Sequence, residues 1–209
     1  MIPERTILSR PTIAITDSIP RSETSERWLE VLRGILHEKD KNCGLYTLDP
    51  NTYPTYYNIG SVLRPTSLLE VGVRFGYSLA SLASGAELKN QVYGVDREMY
   101  EKNSNSYAIN ALKSLSIDAH LFTGTSDDFD VKRNTGLSSI DLIHIDGDHT
   151  TPGALKDLLH YSNFSNRILV DDVLDSRVWA AVKAFVSLQD RLVSQTYFKT
   201  ATGLMLLEL

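Results

Sequence analysis

Three groups of residues have the types and spacing to do chemistry. The first is Glu70-Val71-Gly72-Val73-Arg74-Phe75-Gly76-Tyr77-Ser78, two glycines four apart behind a carboxylate. Gly72 would let the backbone turn sharply, and Gly76 would let a helix start close to a bound molecule. A dinucleotide loop, G-x-G-x-x-G, needs glycine where Glu70 stands, because a pyrophosphate approaches the backbone there. A carboxylate at that point repels phosphate and suits an ammonium group. The second is Asp96, twenty residues past Gly76, where an acidic side chain can accept both hydroxyls of a ribose. The third is acidic: Asp146-Gly147-Asp148-His149 and Asp171-Asp172. Carboxylates gathered at one spot repel one another unless a cation, protons or basic side chains neutralise them. Oxygen ligands of this kind suit Mg²⁺, Ca²⁺ or Mn²⁺.

Positioning these groups requires a layered scaffold, and the chain is patterned for one. Short apolar runs at 67–72, 91–96, 119–123, 141–146 and 167–171 each end in Gly, Asp or Thr. Between and after them lie helical patterns at 77–86, 104–115, 151–161 and 176–188. Strands alternating with helices predict a doubly wound α/β fold, with a mostly parallel sheet buried on both faces. Runs at 192–198 and 204–207 around Thr202-Gly203 leave no room for a helix and predict a C-terminal antiparallel hairpin. Ligands of such sheets bind outside the carboxyl ends of the strands, where the three groups would meet. Adjacent strands are about 5 Å apart, so Asp146, Asp171 and Asp172 could converge. A ribose, a cationic amino-acid tail and no pyrophosphate describe S-adenosylmethionine better than NAD.

The first 66 residues have a different texture. Pro3, Pro11 and Pro20 predict an extended or turning arm. Trp28, Leu29, Leu32, Ile35 and Leu36 fall at helical spacings within 22–41, ended by Asn42, Cys43 and Gly44. Residues 46–65 predict a loop and a short helix ending near Pro65. Together they form an N-terminal arm and helical cover (1–66) on the substrate side of a core at 67–209, in a single folding domain.

E-x-G-x-x-x-G, followed by an acidic second-strand end and a terminal hairpin, resembles the class I S-adenosylmethionine-dependent methyltransferases over about 66–209. The resemblance implies a seven-stranded Rossmann-like sheet whose antiparallel last strand is inserted beside the fifth. It implies that Glu70, Gly72, Gly76 and Ser78 flank the methionine tail, that Asp96 holds the ribose, and that Ser126 reaches the adenine, with Asp146 beside the cofactor. The string from Asp141 to His149 resembles macrocin-type and cephalosporin-hydroxylase-like small-molecule O-methyltransferases. Metal-dependent O-methyltransferases of the catechol type hold their ion with an aspartate matching Asp146 and an Asp-Asn pair matching Asp171 and Asp172. Here Asp172 replaces the neutral amide, and His149 replaces the family's catalytic lysine. The implied reaction is attack of a hydroxyl on the sulfonium methyl, with S-adenosylhomocysteine (SAH) leaving. An alcohol needs a metal or a base to become a nucleophile. By that resemblance Asp146, Asp171 and Asp172 would hold the metal, Mg²⁺ with Ca²⁺ or Mn²⁺ as substitutes, and His149 and Asp146 would handle the proton.

Other residues admit plainer roles. Asp148 either caps the helix near Thr151 or joins the ion. His144, inside a buried strand, reads more readily as a satisfied core histidine than as a ligand. His37, His120 and His160 read as surface groups, and Lys39-Asp40-Lys41 as a solvated run. Tyr53, Tyr56 and Tyr57 form either an aromatic wall over the methyl donor or packing for the N-terminal helix. The Trp28 face reads as core.

Composition narrows the classes further. In 209 residues there are 21 basic and 26 acidic side chains, a net charge of −5, which argues against a nucleic-acid or membrane-surface partner. Cys43 is the single cysteine, excluding an internal disulfide framework and a multi-cysteine zinc site. No apolar run approaches the ~18–20 residues of a membrane span, and no apolar signal segment opens the chain. The expectation is a cytoplasmic enzyme acting on a small hydroxylated metabolite, with homo-oligomerisation left open. The alternatives are a non-catalytic cofactor-binding scaffold of the same fold, and an NAD-dependent oxidoreductase.

Overall fold

The apolar runs do become strands, and one further strand joins the sheet they form. The structure, a computed structural model, describes residues 13–16, 23–36, 50–98, 102–190 and 194–209. In chain order its elements are β1 (Ile13–Thr16), α1 (Glu23–Ile35), α2 (Thr52–Leu63), β2 (Leu68–Val71), α3 (Tyr77–Gly85), β3 (Val92–Asp96), α4 (Ser104–Ser114) and β4 (Ala119–Thr123). They continue with α5 (Val131–Thr135), β5 (Leu142–Ile145), α6 (Thr151–Tyr161), β6 (Arg167–Val170), α7 (Ser176–Leu188), β7 (Ser194–Phe198) and β8 (Leu204–Glu208).

The strand order is β1-β7-β8-β6-β5-β2-β3-β4. All neighbours are parallel except where β8 lies antiparallel between β6 and β7, as the terminal hairpin implied. The seven expected strands, β2 to β8, are all present, and an eighth, β1, joins them by pairing in parallel with β7. Ile13–Thr16 lies in the stretch expected to be an arm; it covers the edge that β7 would otherwise expose. Pro3, Pro11, Pro20, His37, the run at 39–41 and the helix stop at 42–44 lie outside the described residues, as does the first part of the run at 192–198. No helix among the described residues is long and apolar enough to cross a membrane.

Alternation along the strands divides the core. Leu68 of β2 faces one apolar cluster with Trp28, Tyr56, Leu79 and Leu112, while Leu69 and Val71 face another with Leu158, Val182 and Phe185. Helices α1 to α4 thus cover one face and α5 to α7 the other, which is the double winding the pattern predicted. Trp28 is core, and its Nε1 donates to Ser81 Oγ at 2.7 Å. On the first face α2 lies tightly on α3. A Cβ at Gly60 would strike the Leu82 carbonyl oxygen, and one at Gly85 the Tyr57 carbonyl oxygen. Backbone therefore meets backbone, and the N-terminal cover is keyed onto the helix that follows the glycine loop.

Candidate functional site

The chain passes from β2 through β3 to β4 and returns on the other side of β2 with β5, so the order in which parallel strands are added reverses between β2 and β5. Above that reversal lies a cavity of about 770 Å³ lined by Gly72, Asp96, Ser126, Asp146, His149 and Asp172 among others. This is within the size range of small-molecule sites. Gly72 has φ 89°, and a Cβ there would strike the carbonyl oxygen of Asp146. The ends of β2 and β5 are held together at this point by Asp146 N–H donating to Val71 O at 2.8 Å.

Asp96 closes β3 and ties the glycine loop to it. Its Oδ2 accepts from the Arg74 amide at 2.8 Å and its Oδ1 from the Glu98 amide at 2.5 Å. Each oxygen keeps a lone pair for a ligand. Ser126, after β4, bonds through its side chain to Asp157, whose carboxyl burial pushes up and that bond draws back. Asp157 also lines the cavity.

Glu70, Gly76 and Ser78 lie outside the lining residues. Glu70 faces the α1–α4 layer with a fully buried side chain, so the expected contact between its carboxylate and a ligand ammonium is not what the geometry provides. Its Oε1 accepts from Ser78 Oγ at 2.5 Å and from His144 Nδ1 at 2.7 Å, while Oε2 is buried without a partner. His144 stands opposite Glu70 in the β2–β5 register and is equally buried. Its Nε2 meets the hydroxyl of Tyr56, from α2, at 3.2 Å; that hydroxyl donates to Asp171 Oδ2 at 2.7 Å. Tyr56 has one proton and gives it to Asp171, so Nε2 must donate to the phenol oxygen. Nδ1 faces a carboxylate and must donate too. This arrangement favours the charged imidazole: burial opposes its charge, but Glu70, Asp146 and Asp171 outweigh burial and raise its pKa. Burial and the same carboxylates push the Tyr56 phenol well above its ordinary value.

The acidic groups meet at the cavity floor. Oxygens of Asp146 and Asp172 and a nitrogen of His149 lie within 4.8 Å of one another. His149 is clamped between them, Nδ1 to Asp172 Oδ2 at 2.9 Å and Nε2 to Asp146 Oδ1 at 3.3 Å. These two bonds, against a smaller effect of burial, push its pKa up to about 11. Held this way it carries a proton on each nitrogen and has no lone pair with which to act as a base. Burial and the charge of Asp171 push the Asp146 carboxyl up. Asp171 sits beside this group, not in it. Its Oδ1 accepts from Thr202 Oγ1 at 2.7 Å and from the Asp172 amide at 2.6 Å, and its Oδ2 from Tyr56.

Asp148 accepts from the Thr150 amide at 2.9 Å, and Thr150, not Asp148, caps α6 by accepting from Gly153 N–H. His120 and His160 are on the surface, as expected. Of the three tyrosines, Tyr53 lines the cavity, Tyr57 packs near Trp28, and Tyr56 reaches the acidic groups. The roles of Thr202 and Asp157 were not legible in sequence, because each lies far along the chain from the residue it supports, Asp171 and Ser126.

Residues 69–173 match the family model described as a methyltransferase domain. No curated protein sequence matches the chain. Among solved structures, an O-methyltransferase from Bacillus cereus in complex with SAH is similar at TM-score 0.61 and 19% identity, over 91% of this chain and 93% of that one. A SAH-bound methyltransferase from Podospora anserina is similar at TM-score 0.59 and 17% identity, over 92% and 90%. The O-methyltransferase TomG from Streptomyces achromogenes, solved with SAM, gives TM-score 0.57 and 14% identity over 90% of each chain.

Proposed function

The chain belongs to the methyltransferase-domain family, as a class I S-adenosylmethionine-dependent methyltransferase, and from that premise we propose that it methylates a hydroxyl of a small metabolite with help from a divalent cation. One observation carries this reading: Gly72, Asp96 and Ser126 share a single cavity with Asp146, His149 and Asp172. The first three suit the nucleoside, and the second three suit an ion and an acceptor oxygen. Three carboxylates at this floor also disfavour a pyrophosphate, a role the sequence had given to Glu70.

When bound, S-adenosylmethionine supplies an electrophilic methyl group, and a divalent cation lowers the pKa of an acceptor hydroxyl. The chain does the rest by positioning, which can lower such a barrier by about 7–11 kcal/mol. Asp96 takes the ribose hydroxyls and Ser126 meets the adenine. Thr52 and Tyr53 of α2 wall the acceptor side, so the N-terminal 66 residues shape acceptor choice. Two carboxylates and an imidazole nitrogen within 4.8 Å are a donor set that fits a divalent ion. Asp146 and Asp172 would hold it in place of the His149 proton, because the same negative charge needs only one neutralising partner. His149, once neutral, is then free to ligate or to take the acceptor's proton.

The sign of the pH dependence follows. His149 is protonated far above neutrality, so ion binding must expel a proton, and affinity rises with pH. Calorimetry with Mn²⁺ in buffers of different ionisation enthalpy should show one site, proton release, and roughly tenfold tighter binding per pH unit between 6 and 8. Asp172→Ala should abolish it. A wild-type protein that takes up no Mn²⁺ would refute the metal part and leave Asp146 as the group nearest the acceptor's proton.

A further inference from the structure

We infer that Tyr56 and Asp171 are positioning residues whose task is to fix Asp172 in the conformation that brings its carboxylate into the Asp146–His149–Asp172 group. This rests on the metal reading above. Asp172 has φ 55°, left-handed backbone that Asp adopts more readily than most residues when local hydrogen bonds hold it there. Those bonds are present. The Asp172 amide donates to Asp171 Oδ1 at 2.6 Å, and the Asp172 carbonyl accepts from the Asp175 amide at 2.8 Å. Asp171 can hold that amide only if its own carboxylate is held, and both of its oxygens are. Thr202 anchors Oδ1 from the turn before β8, and Tyr56 anchors Oδ2 from α2.

Tyr56 in turn has no freedom to leave. It is 1% exposed, its hydroxyl meets His144, and His144 is fixed by Glu70. The helix that carries it is keyed to α3 through Gly60 and Gly85. The brace therefore runs from Glu70 of β2, through a helix of the N-terminal cover, to the end of β6. Tyr56 and Thr202 both fall outside the segment matched by the family model, so this support is built by the parts of the chain that flank it. Asp171, expected from sequence to ligate the ion, acts one bond behind it.

The test is Mn²⁺ affinity, read by electron paramagnetic resonance, in wild type, Tyr56→Phe, Asp171→Asn and the double variant, with SAH affinity measured on each. Outer-shell losses of this kind weaken metal binding about 10- to 100-fold. Each single variant should fall in that range, the double variant should be no weaker than the worse single, and SAH affinity should stay within about threefold. If Asp171→Asn does not fold, Thr202→Val takes its place in the cycle. Unchanged Mn²⁺ affinity in Tyr56→Phe would overturn the inference alone, as would a double variant showing the product of both losses. Wild type that binds no Mn²⁺ would overturn the metal reading and this inference with it.

Discussion

Asp96→Ala should weaken SAH binding by about 10- to 150-fold, measured calorimetrically on protein whose unfolding transition remains cooperative. A charged acceptor bonded to a ribose diol contributes roughly 1.5–3 kcal/mol, which converts to that range. The structure adds a second reason for a large effect. The same carboxylate accepts the Arg74 and Glu98 amides, so its removal also releases the glycine loop from the end of β3. Asp96→Asn separates the two contributions, since the amide retains one acceptor oxygen and loses the charge. Affinity within a factor of two of wild type in Asp96→Ala would show that the ribose is held elsewhere.

Gly72→Ala should destabilise the fold by about 3 kcal/mol or more in urea denaturation. Its φ of 89° disfavours any side chain, and the added methyl would have to occupy the place of the Asp146 carbonyl oxygen. Relief requires separating β2 from β5 where Asp146 N–H meets Val71 O, which opens the cavity floor. Gly34→Ala is the contrasting case. Gly34 lies in α1, a Cβ there meets nothing within 4 Å, and alanine should stabilise the helix by about 0.5–1 kcal/mol. A Gly72→Ala protein as stable as wild type would mean that the two strand ends are not in backbone contact.

What could be read from the sequence follows from what is encoded locally. Strands buried on both faces are continuous apolar runs, as Leu142–Ile145 is within the run at 141–146, and even the half-exposed edge strand at 119–123 came out with the bounds its pattern predicts. The helices at 151–161 and 176–188 did so too, because each has a capping residue before it and a periodic apolar face within it. Strand β1 was illegible because four residues carry too little pattern to stand out beside prolines. The facing of Glu70 needed the strand end: it lies inside β2, not after it, and shares a face with Leu68. That its partner is His144 depends on β5 lying beside β2, a register set by the crossover. Likewise, three tyrosines on one helix look equivalent in sequence. Only the seating of α2 on α3 sends Tyr56 to Asp171, Tyr53 to the cavity and Tyr57 toward Trp28.

The most direct test is a crystal structure of the protein grown with SAH. The ribose hydroxyls should lie within hydrogen-bond distance of Asp96, the adenine beside Ser126, and the sulfur over the floor formed by Gly72 and Asp146. A nucleoside bound elsewhere, or a diphosphate in that cavity in its place, would contradict the account.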